Sequence, residues 1–95
     1  MFTVTQTREF SKWLDRLKDA SAQAHVISRV DRLGFGMFGD VKYFDGIGEL
    51  RINHGPGYRL YFCRKGTTIV VLLCGGIKDT QTRDIRKALM LAKEV

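Results

Sequence analysis

Two segments of this chain alternate apolar residues with polar ones, and several of the polar residues are of types that bind anions. The segments read GELRINH, at residues 48–54, and YRLYFCR, at residues 58–64. Successive side chains of a strand point to opposite faces, so the apolar members share one face and the polar members the other. If the apolar residues face a core, the opposite face carries Glu49, Arg51, Asn53, Arg59, Tyr61 and Cys63.

The chemistry of this polar face suits RNA. Helices would not cover a charged sheet face unless its charges were paired, which predicts that the face is open or forms a cleft. An arginine guanidinium presents a fork of N–H donors to phosphate, and a tyrosine ring stacks on a base. The alternative is a solvated sheet on which Glu49 forms a salt bridge with Arg51 or Arg59.

Two further residues could extend this site. His54 ends the first segment, and its ordinary pKa near 6.5 suits acid–base catalysis, although a lone histidine at a strand end is more often structural. Lys78 follows Gly75-Gly76-Ile77 and leaves the sheet where Arg59 could be near. That glycine-containing stretch lacks the GKS/T ending of a phosphate-binding loop, which argues against nucleotide hydrolysis.

The remaining candidate ligands give little indication of a site. Cys63 and Cys74 have neither CxxC spacing nor histidine companions, so the sequence predicts no zinc site. We expect both cysteines to be free thiols, with Cys74 buried. His25 has no partner four residues further along its helix, and we expect it at the surface.

Helical spacing of apolar residues predicts three helices. The first is amphipathic and is capped by Thr5 or Thr7, whose hydroxyl can accept a free backbone N–H. The second begins at Ser21 and ends at Gly34, because glycine tolerates the backbone conformation of a helix end. Thr80 is expected to cap the third helix, which lies at the end of the chain.

Alternating or continuous apolar residues predict five strands, of which the fifth is buried on both faces and ends at Gly75-Gly76. The resulting order β-α-α-β-β-β-β-α is typical of an α+β fold, with a helical hairpin packed on one face of a mainly antiparallel sheet. The predicted strands are Met1–Thr5, Val41–Asp45, Gly48–His54, Tyr58–Arg64 and Thr67–Cys74.

Length and composition limit the classes of function. Ninety-five residues are expected to form one domain, residues 1–95. The chain has no apolar run near the roughly 20 residues of a membrane span, and its N-terminus lacks the apolar stretch of a signal peptide, so we expect a cytoplasmic protein with no membrane partner. The net charge of +6 fits an anionic partner, nucleic acid or an acidic protein, although many domains are mildly basic without one.

The motif series ELR, GPGYR, GGIK, TQ and DI is specific enough to indicate a family. The stretches GELRINHGPGYRLYF and VVLLCGGIKDTQTRDIRKAL, at residues 48–62 and 70–89, resemble the RelE/ParE superfamily of bacterial type II toxins, and most of all its HigB-like, phage-related addiction-module killer branch. EFSKWLDRLKD and VISRVDRLGFGMFGDVKYF, at residues 9–19 and 26–44, match that branch as well. The resemblance covers nearly the whole chain and implies the same order of helices and strands.

The resemblance implies a toxin that a cognate antitoxin, expected to be a helix-turn-helix protein, holds inactive. Many relatives are metal-independent endoribonucleases that cleave mRNA in the ribosomal A site and so inhibit translation, and no cofactor is implied. Relatives of the ParE type instead inhibit DNA gyrase, and a non-toxic RNA- or protein-binding module is a third alternative. In the RNA-cleaving relatives, basic residues on the central strands and after the last strand act on phosphate, which by motif assigns Arg51, Arg59 and Lys78.

Proton transfer in such a reaction needs other groups. Arginine is too basic to remove the 2′ proton well, so Glu49, His54 or a lysine with a lowered pKa would serve, or the ribosome would contribute. Relatives of the RelE type often carry a tyrosine in the C-terminal helix, where this chain has Ile85. Either Tyr61, Tyr58 or His54 replaces that tyrosine, or the activity is weak, or the target differs.

These considerations define two sets of expected site residues. The expected catalytic residues are Arg51, Arg59, Lys78, Glu49, His54 and Tyr61. The expected RNA-binding residues are Lys42, Arg64, Tyr58, Arg83 and Arg86.

Overall fold

Helices and strands follow one another in the order β-α-α-β-β-β-β-α, which confirms the sequence prediction. The computed structural model describes all residues from 1 to 95. The strands are β1 (Thr3–Gln6), β2 (Val41–Phe44), β3 (Ile47–Ile52), β4 (Tyr58–Lys65) and β5 (Ile69–Ile77). The helices are α1 (Arg8–Asp15), α2 (Ala20–Gly34) and α3 (Gln81–Glu94), and a 3₁₀ turn over Lys78–Thr80 joins β5 to α3.

The strands form one sheet in the order β1-β5-β4-β3-β2. Strand β1 runs parallel to β5, whereas every other pair of neighbours is antiparallel. Antiparallel neighbours need only short turns, while the parallel pair requires a long connection, here supplied by all the elements between β1 and β5. The structure therefore has the mainly antiparallel α+β architecture that the sequence predicts.

Helices α1 and α2 contribute to an apolar core on one face of the sheet. Phe10 of α1 and Val26 and Leu33 of α2 are fully buried with Leu60 of β4 and Leu72 of β5. Full burial of an apolar side chain of this size stabilises a fold by about 1.5–3 kcal/mol relative to exposure. This is the face on which the apolar members of the two alternating segments were expected.

Helix α3 covers much of the opposite face, so the prediction that this face is open is wrong over part of its length. Ala88 of α3 packs in a second apolar cluster with Ile47 of β3. The polar-face residues Glu49 and Tyr61 are 0% exposed, and Cys63 is 5% exposed. The alternation along a strand assigns residues to two faces but does not predict which face a helix covers. Here the apolar stripe of α3 packs on the face that carries Glu49, Tyr61 and Cys63.

The helix ends show how the local sequence starts each helix. Thr7 caps α1, because its hydroxyl accepts a hydrogen bond from the Phe10 N–H at 3.1 Å. Helix α2 begins one residue earlier than predicted, since the Asp19 carboxylate caps it. Thr80 is the N-cap residue of α3, as predicted, but its side chain forms no capping hydrogen bond with the backbone. Its hydroxyl donates to the Asp84 carboxylate instead. None of the helices combines the length and the apolar character needed to cross a bilayer.

Strand β5 runs through Gly75 and Gly76 to Ile77, so the prediction that these glycines end it is wrong. A Cβ atom on Gly75 would overlap the Trp13 ring, and one on Gly76 would overlap the Asp84 carboxylate. The glycines therefore let α1 and α3 approach the strand closely from its two faces. The expected burial of the preceding run on both faces is confirmed, since residues 70–74 are all buried.

Both cysteines are free, and Cys74 is buried, as the sequence predicts. Cys63 is buried as well, in contrast to its expected place on an open face. Burial, reinforced by the nearby Asp84 carboxylate, raises the pKa of the Cys74 thiol to about 12. Burial also raises the pKa of Cys63. A thiol is nucleophilic only as the thiolate, so neither cysteine is suited to covalent catalysis near neutral pH.

Candidate active site

A basic cavity of about 420 Å³ opens where β3 ends, β4 begins and the chain leaves β5. We call it the arginine cavity. The antiparallel register explains its composition, because Arg51 of β3 lies directly opposite Arg59 of β4, which in turn lies opposite Gly76 of β5. The cavity is lined by Asp40, Arg51, Ile52, Asn53, Gly55, Pro56, Gly57, Arg59 and Lys78.

The two arginines of the cavity are a like-charged cross-strand pair, an arrangement that destabilises a sheet unless an anion compensates it. Arg59 donates from Nη1 to the Gly57 carbonyl at 3.0 Å, but its buried Nε has no acceptor in the protein. The buried Nε of Arg51 also lacks a hydrogen-bond acceptor. Buried polar groups are normally hydrogen-bonded. Arg51 Nε still has the Glu49 carboxylate 3.5 Å away, but Arg59 has no acidic partner, which indicates a site for an external acceptor.

Backbone contacts hold the rim of the cavity. The Lys78 N–H donates to the Gly57 carbonyl at 2.8 Å, which fixes the point where the chain leaves β5 next to the turn before β4. Gly57 has φ +79°, and a Cβ atom there would lie 2.8 Å from Nη1 of Arg59. The turn therefore needs glycine both for its backbone conformation and for the room that the arginine occupies.

Arg29 supports the same rim, and sequence reasoning missed it. Its guanidinium donates to the carbonyls of Arg51 at 2.6 Å and of Phe38 at 2.9 Å, tying α2 and the segment before β2 to the end of β3. Burial lowers the pKa of Arg29, with a further contribution from the charge of Arg32. Nothing in the residues around Arg29 distinguishes it from a solvated helix arginine, so only tertiary structure reveals its role.

Glu49 lies behind the cavity and under α3. Its Oε2 accepts hydrogen bonds from the Tyr61 hydroxyl at 2.9 Å and from the Gln81 amide at 2.8 Å. Its Oε1 lies 3.5 Å from Nε of Arg51, so the salt bridge expected as one alternative forms, although on a buried carboxylate and not on a solvated sheet. Burial, and then the hydrogen bond to Glu49, strongly raise the pKa of Tyr61, which keeps this hydroxyl protonated.

Tyr61 and Glu49 therefore do not face a substrate in this structure, in contrast to the expected open position. Both side chains are fully buried, and neither lines the cavity. Gln81, the first residue of α3, is a member of this network that sequence reasoning missed. Its only sequence signal is its position in the TQ motif.

His54 and Tyr58 lie on the α2 side of the sheet, so the expectation that His54 could reach the polar face is wrong. The His54 ring lies 4.4 Å from the His25 ring between centroids, and its Nε2 is 3.8 Å from an Asp19 carboxylate oxygen. Tyr58 is 7% exposed and packs edge-on against Trp13. Neither residue lines the cavity. Along residues 1–95, no cluster of three or more His, Cys, Asp or Glu side chains is placed to hold a metal ion.

The other expected RNA-binding residues do not join the cavity. Lys42 lies on the edge strand β2, with its ammonium 5.1 Å from the centre of the Phe44 ring. Arg64 stacks 4.7 Å above the Phe2 ring, and it is five residues along β4 from Arg59, about 17 Å of strand. Arg83 and Arg86 are exposed on α3. The structure brings together Arg51, Arg59 and Lys78 and leaves these four residues dispersed.

A second basic depression, the α1–α3 groove, has a volume of about 370 Å³. Its acids are already paired, since Lys87 lies 2.9 Å from Glu9 and Arg83 lies 3.5 Å from Asp84. None of its buried side-chain polar atoms lacks a hydrogen-bond partner. The groove is lined by Glu9, Lys12, Trp13, Arg16, Cys74, Gly75, Arg83, Asp84 and Lys87.

Comparison with known proteins assigns the chain to a family. Residues 8–94 match the family model described as "Phage derived protein Gp49-like (DUF891)". A protein of Haemophilus influenzae (strain ATCC 51907 / DSM 11121 / KW20 / Rd), named only "Uncharacterized protein", is 47% identical over 93 residues, which cover 97% of this chain and 94% of the relative. The chain therefore belongs to the Gp49-like family of phage-derived proteins, a RelE/HigB-like family associated in general with the toxins of toxin–antitoxin systems.

Proposed function

We propose that this protein is a toxin that cleaves mRNA, with the arginine cavity as its active site. The observation that carries the proposal is the cross-strand pair Arg51–Arg59: the buried Nε donors of both make no hydrogen bond, and Arg59 has no acidic partner. A phosphodiester provides oxygen acceptors and negative charge, and arginine is the residue best shaped to bind it. Lys78 lines the same cavity and adds a third positive charge.

Cleavage would proceed by attack of the RNA on itself. The 2′ oxygen forms a bond to the adjacent phosphorus while the bond from phosphorus to the 5′ oxygen breaks, leaving a 2′,3′-cyclic phosphate and a 5′-hydroxyl. One proton leaves the 2′-hydroxyl, and another reaches the departing 5′ oxygen. The intermediate phosphorane carries extra negative charge, and the cations of Arg51, Arg59 and Lys78 would stabilise it.

The proton acceptor in this proposal is not Glu49 or His54, because neither side chain lines the cavity. Asp40 is the one carboxyl group that does. The shallow cavity leaves the rest of the RNA outside the protein, so we propose that mRNA is presented by the ribosome in the cytoplasm. The ribosome would then orient the 2′-hydroxyl and contribute to proton transfer. A cognate antitoxin would silence the toxin by covering the basic cavity.

Controlled expression with transcript mapping tests the proposal. We expect wild-type protein to arrest growth and to produce cut transcripts, detected as defined stops in primer extension. Arg59→Ala should restore growth and intact transcripts, because it removes one of the two arginines that line the cavity. Arg16→Ala removes an arginine from the α1–α3 groove and should remain toxic.

Other outcomes would separate the alternative activities. Growth arrest with intact mRNA, continued translation and induced DNA-damage signalling would reject RNA cleavage in favour of gyrase inhibition. Normal growth of cells that contain folded wild-type protein would reject toxicity itself. Thermal unfolding of purified Arg59→Ala should resemble that of wild type, which keeps loss of function distinct from loss of folding.

A further inference from the structure

The polar network behind the arginine cavity is built around one buried carboxylate. Glu49 is fully buried, although ionisable side chains rarely are unless they are paired. Two neutral donors, the Tyr61 hydroxyl and the Gln81 amide, both bond to its Oε2. They fix the carboxylate in one orientation and leave its other oxygen free of hydrogen bonds.

The free oxygen has a charged neighbour. Oε1 of Glu49 and Nε of Arg51 are 3.5 Å apart, and Glu49 and Arg51 lie two residues apart on the same face of β3. The distance is longer than an ordinary N–H···O hydrogen bond, so the attraction is mainly that of opposite charges in a poorly solvated place. Arg51 lines the cavity, and 37% of its side chain is exposed.

Arg51 needs such a contact because of its other neighbour. Arg59 lies directly across the strand pair, and the two positive charges repel. An unrestrained arginine would turn into solvent, since its long side chain has several rotatable bonds and water screens its charge from that of Arg59. The fixed carboxylate of Glu49 offsets both effects on the side of Arg51 that faces α3.

We propose that Glu49 is a positioning residue, which holds the Arg51 guanidinium beside Arg59 so that the two together can bind one phosphate group. Tyr61 and Gln81 act one step further back, by orienting Glu49. The inference rests on the proposed RNA cleavage and gives Glu49 a role different from that of a general base. It also explains why a carboxylate is buried where an apolar residue would pack more easily.

Substitution of Glu49 by glutamine gives opposite expectations for binding and for catalysis. Glu49→Gln keeps the shape and an oxygen that can accept from Tyr61, but it removes one negative charge next to the cavity. Electrostatics alone then predicts equal or tighter RNA binding. Loss of position predicts a cleavage rate lower by about 10- to 100-fold, because misplacement of a binding group by an ångström has costs of this size.

Kinetics of purified protein with its RNA substrate on ribosomes would measure this split. The expected result is a lower kcat, a KM that is unchanged or lower, and a pH profile of the same shape as wild type. Tyr61→Phe removes one of the orienting hydrogen bonds and should show the same pattern to a smaller degree. Glu94→Gln makes the same charge change at the exposed end of α3 and should match wild type.

Two outcomes would overturn the inference. If the ascending limb of the pH profile disappears in Glu49→Gln, the carboxylate is the base and not a positioning group. If folded Glu49→Gln cleaves as fast as wild type, the network is merely structural. If Glu49→Gln fails to fold, Tyr61→Phe becomes the test. An unchanged kcat in Tyr61→Phe would also reject the inference.

Nuclear magnetic resonance separates failure of this inference from failure of the proposed function. In ¹⁵N-labelled wild type, the Nε–H signal of Arg51 should be resolved and protected from exchange with water, and in Glu49→Gln it should broaden or exchange faster. This measurement needs no RNA. If the wild type does not cleave RNA but the Arg51 signal changes as described, the proposed function fails and the positioning by Glu49 stands. An Arg51 signal that is identical in both proteins rejects the positioning.

Discussion

The arginine cavity and the α1–α3 groove are similar in size and both are rich in cations, yet they differ in how those cations are satisfied. The groove has two acid–base pairs, Lys87 with Glu9 and Arg83 with Asp84. Its unpaired cations, Lys12 and Arg16, are exposed. In the arginine cavity, by contrast, Arg59 has no acidic partner, and the buried Nε atoms of both arginines make no hydrogen bond.

The difference shows that the number of positive charges does not identify an anion site. Exposed cations are solvated and cost the fold little, whether they bind a ligand or not. Buried donors without acceptors are costly, so their retention calls for a compensating function. The net charge of +6 belongs to the whole surface, whereas the proposed activity depends on three of its cations.

The largest expected effect on the cleavage rate comes from comparing two substitutions, each of which removes one arginine from one of the two depressions. Arg59→Ala should lower the rate of RNA cleavage by about 100- to 1,000-fold, the usual effect of deleting a group that stabilises transition-state charge. Arg16→Ala in the α1–α3 groove should leave the rate unchanged. Initial rates with purified protein would measure both, and equal losses in the two variants would contradict the distinction between the depressions.

The free energy of unfolding should show that the α1–α3 groove contributes to stability through the packing of Trp13 on Gly75. Gly75→Ala places a methyl group into the Trp13 ring and should lower the free energy of unfolding by about 1–3 kcal/mol, as overpacking does. The matched control is Gly34→Ala, because a Cβ atom there has no neighbour closer than 3.9 Å and φ is not positive. Urea unfolding followed by Trp13 fluorescence would compare them. Equal stability of the Gly75 variant and wild type would show that the ring can move aside.

The salt dependence of RNA binding would distinguish the arginine cavity from the α1–α3 groove even if no RNA is cleaved. Each phosphate contact on single-stranded RNA contributes about 0.7 to the slope of log K against log salt concentration. Arg59→Ala should reduce the slope by about that amount, whereas Lys12→Ala should not change it. Fluorescence anisotropy with a labelled RNA at several salt concentrations would give the slopes. A reduced slope for Lys12→Ala would extend the RNA-binding surface to α1.

The smallest effect concerns acid stability. The hydrogen bond and the charge of Lys87 lower the pKa of Glu9 below its ordinary value of 4.5. The folded state therefore holds the Glu9 proton less tightly than the unfolded state, and the pair stabilises the fold above about pH 4.5 and ceases to do so as the pH falls through the folded pKa. Lys87→Met should lower the Tm slightly at pH 7 and not at pH 3. A difference that persists at pH 3 would assign the effect to packing.

The order of elements follows from the sequence because the signals for it are local. Apolar residues at helical spacing, such as Phe10 and Trp13, identify α1 without reference to the rest of the chain. The continuous apolar run of β5 likewise indicates burial on both faces, which is confirmed. The alternation along β3 and β4 locates Arg51 and Arg59 on one face, and the register confirms that they are neighbours.

The parts of the site that the sequence did not reveal depend on tertiary contacts. Gly75 and Gly76 are typical of a strand end, but their role is to admit Trp13 and Asp84. The burial of Glu49 depends on where α3 packs, and an amphipathic helix can cover either face of a sheet. Arg29 binds backbone carbonyls that are distant along the chain, and no local pattern indicates such a contact.

The parallel pairing of β1 with β5 has a consequence for how the protein becomes active. Residues 3–6 pair with residues 69–72, so β1 can pair with β5 only after most of the chain has been synthesised. Pairing across so long a separation slows folding, because a large loop must close before its contacts stabilise it. Lys78 follows shortly after this partner segment, so the arginine cavity is completed only late in synthesis. A nascent chain therefore cannot present all three cations of the cavity until Lys78 has been added.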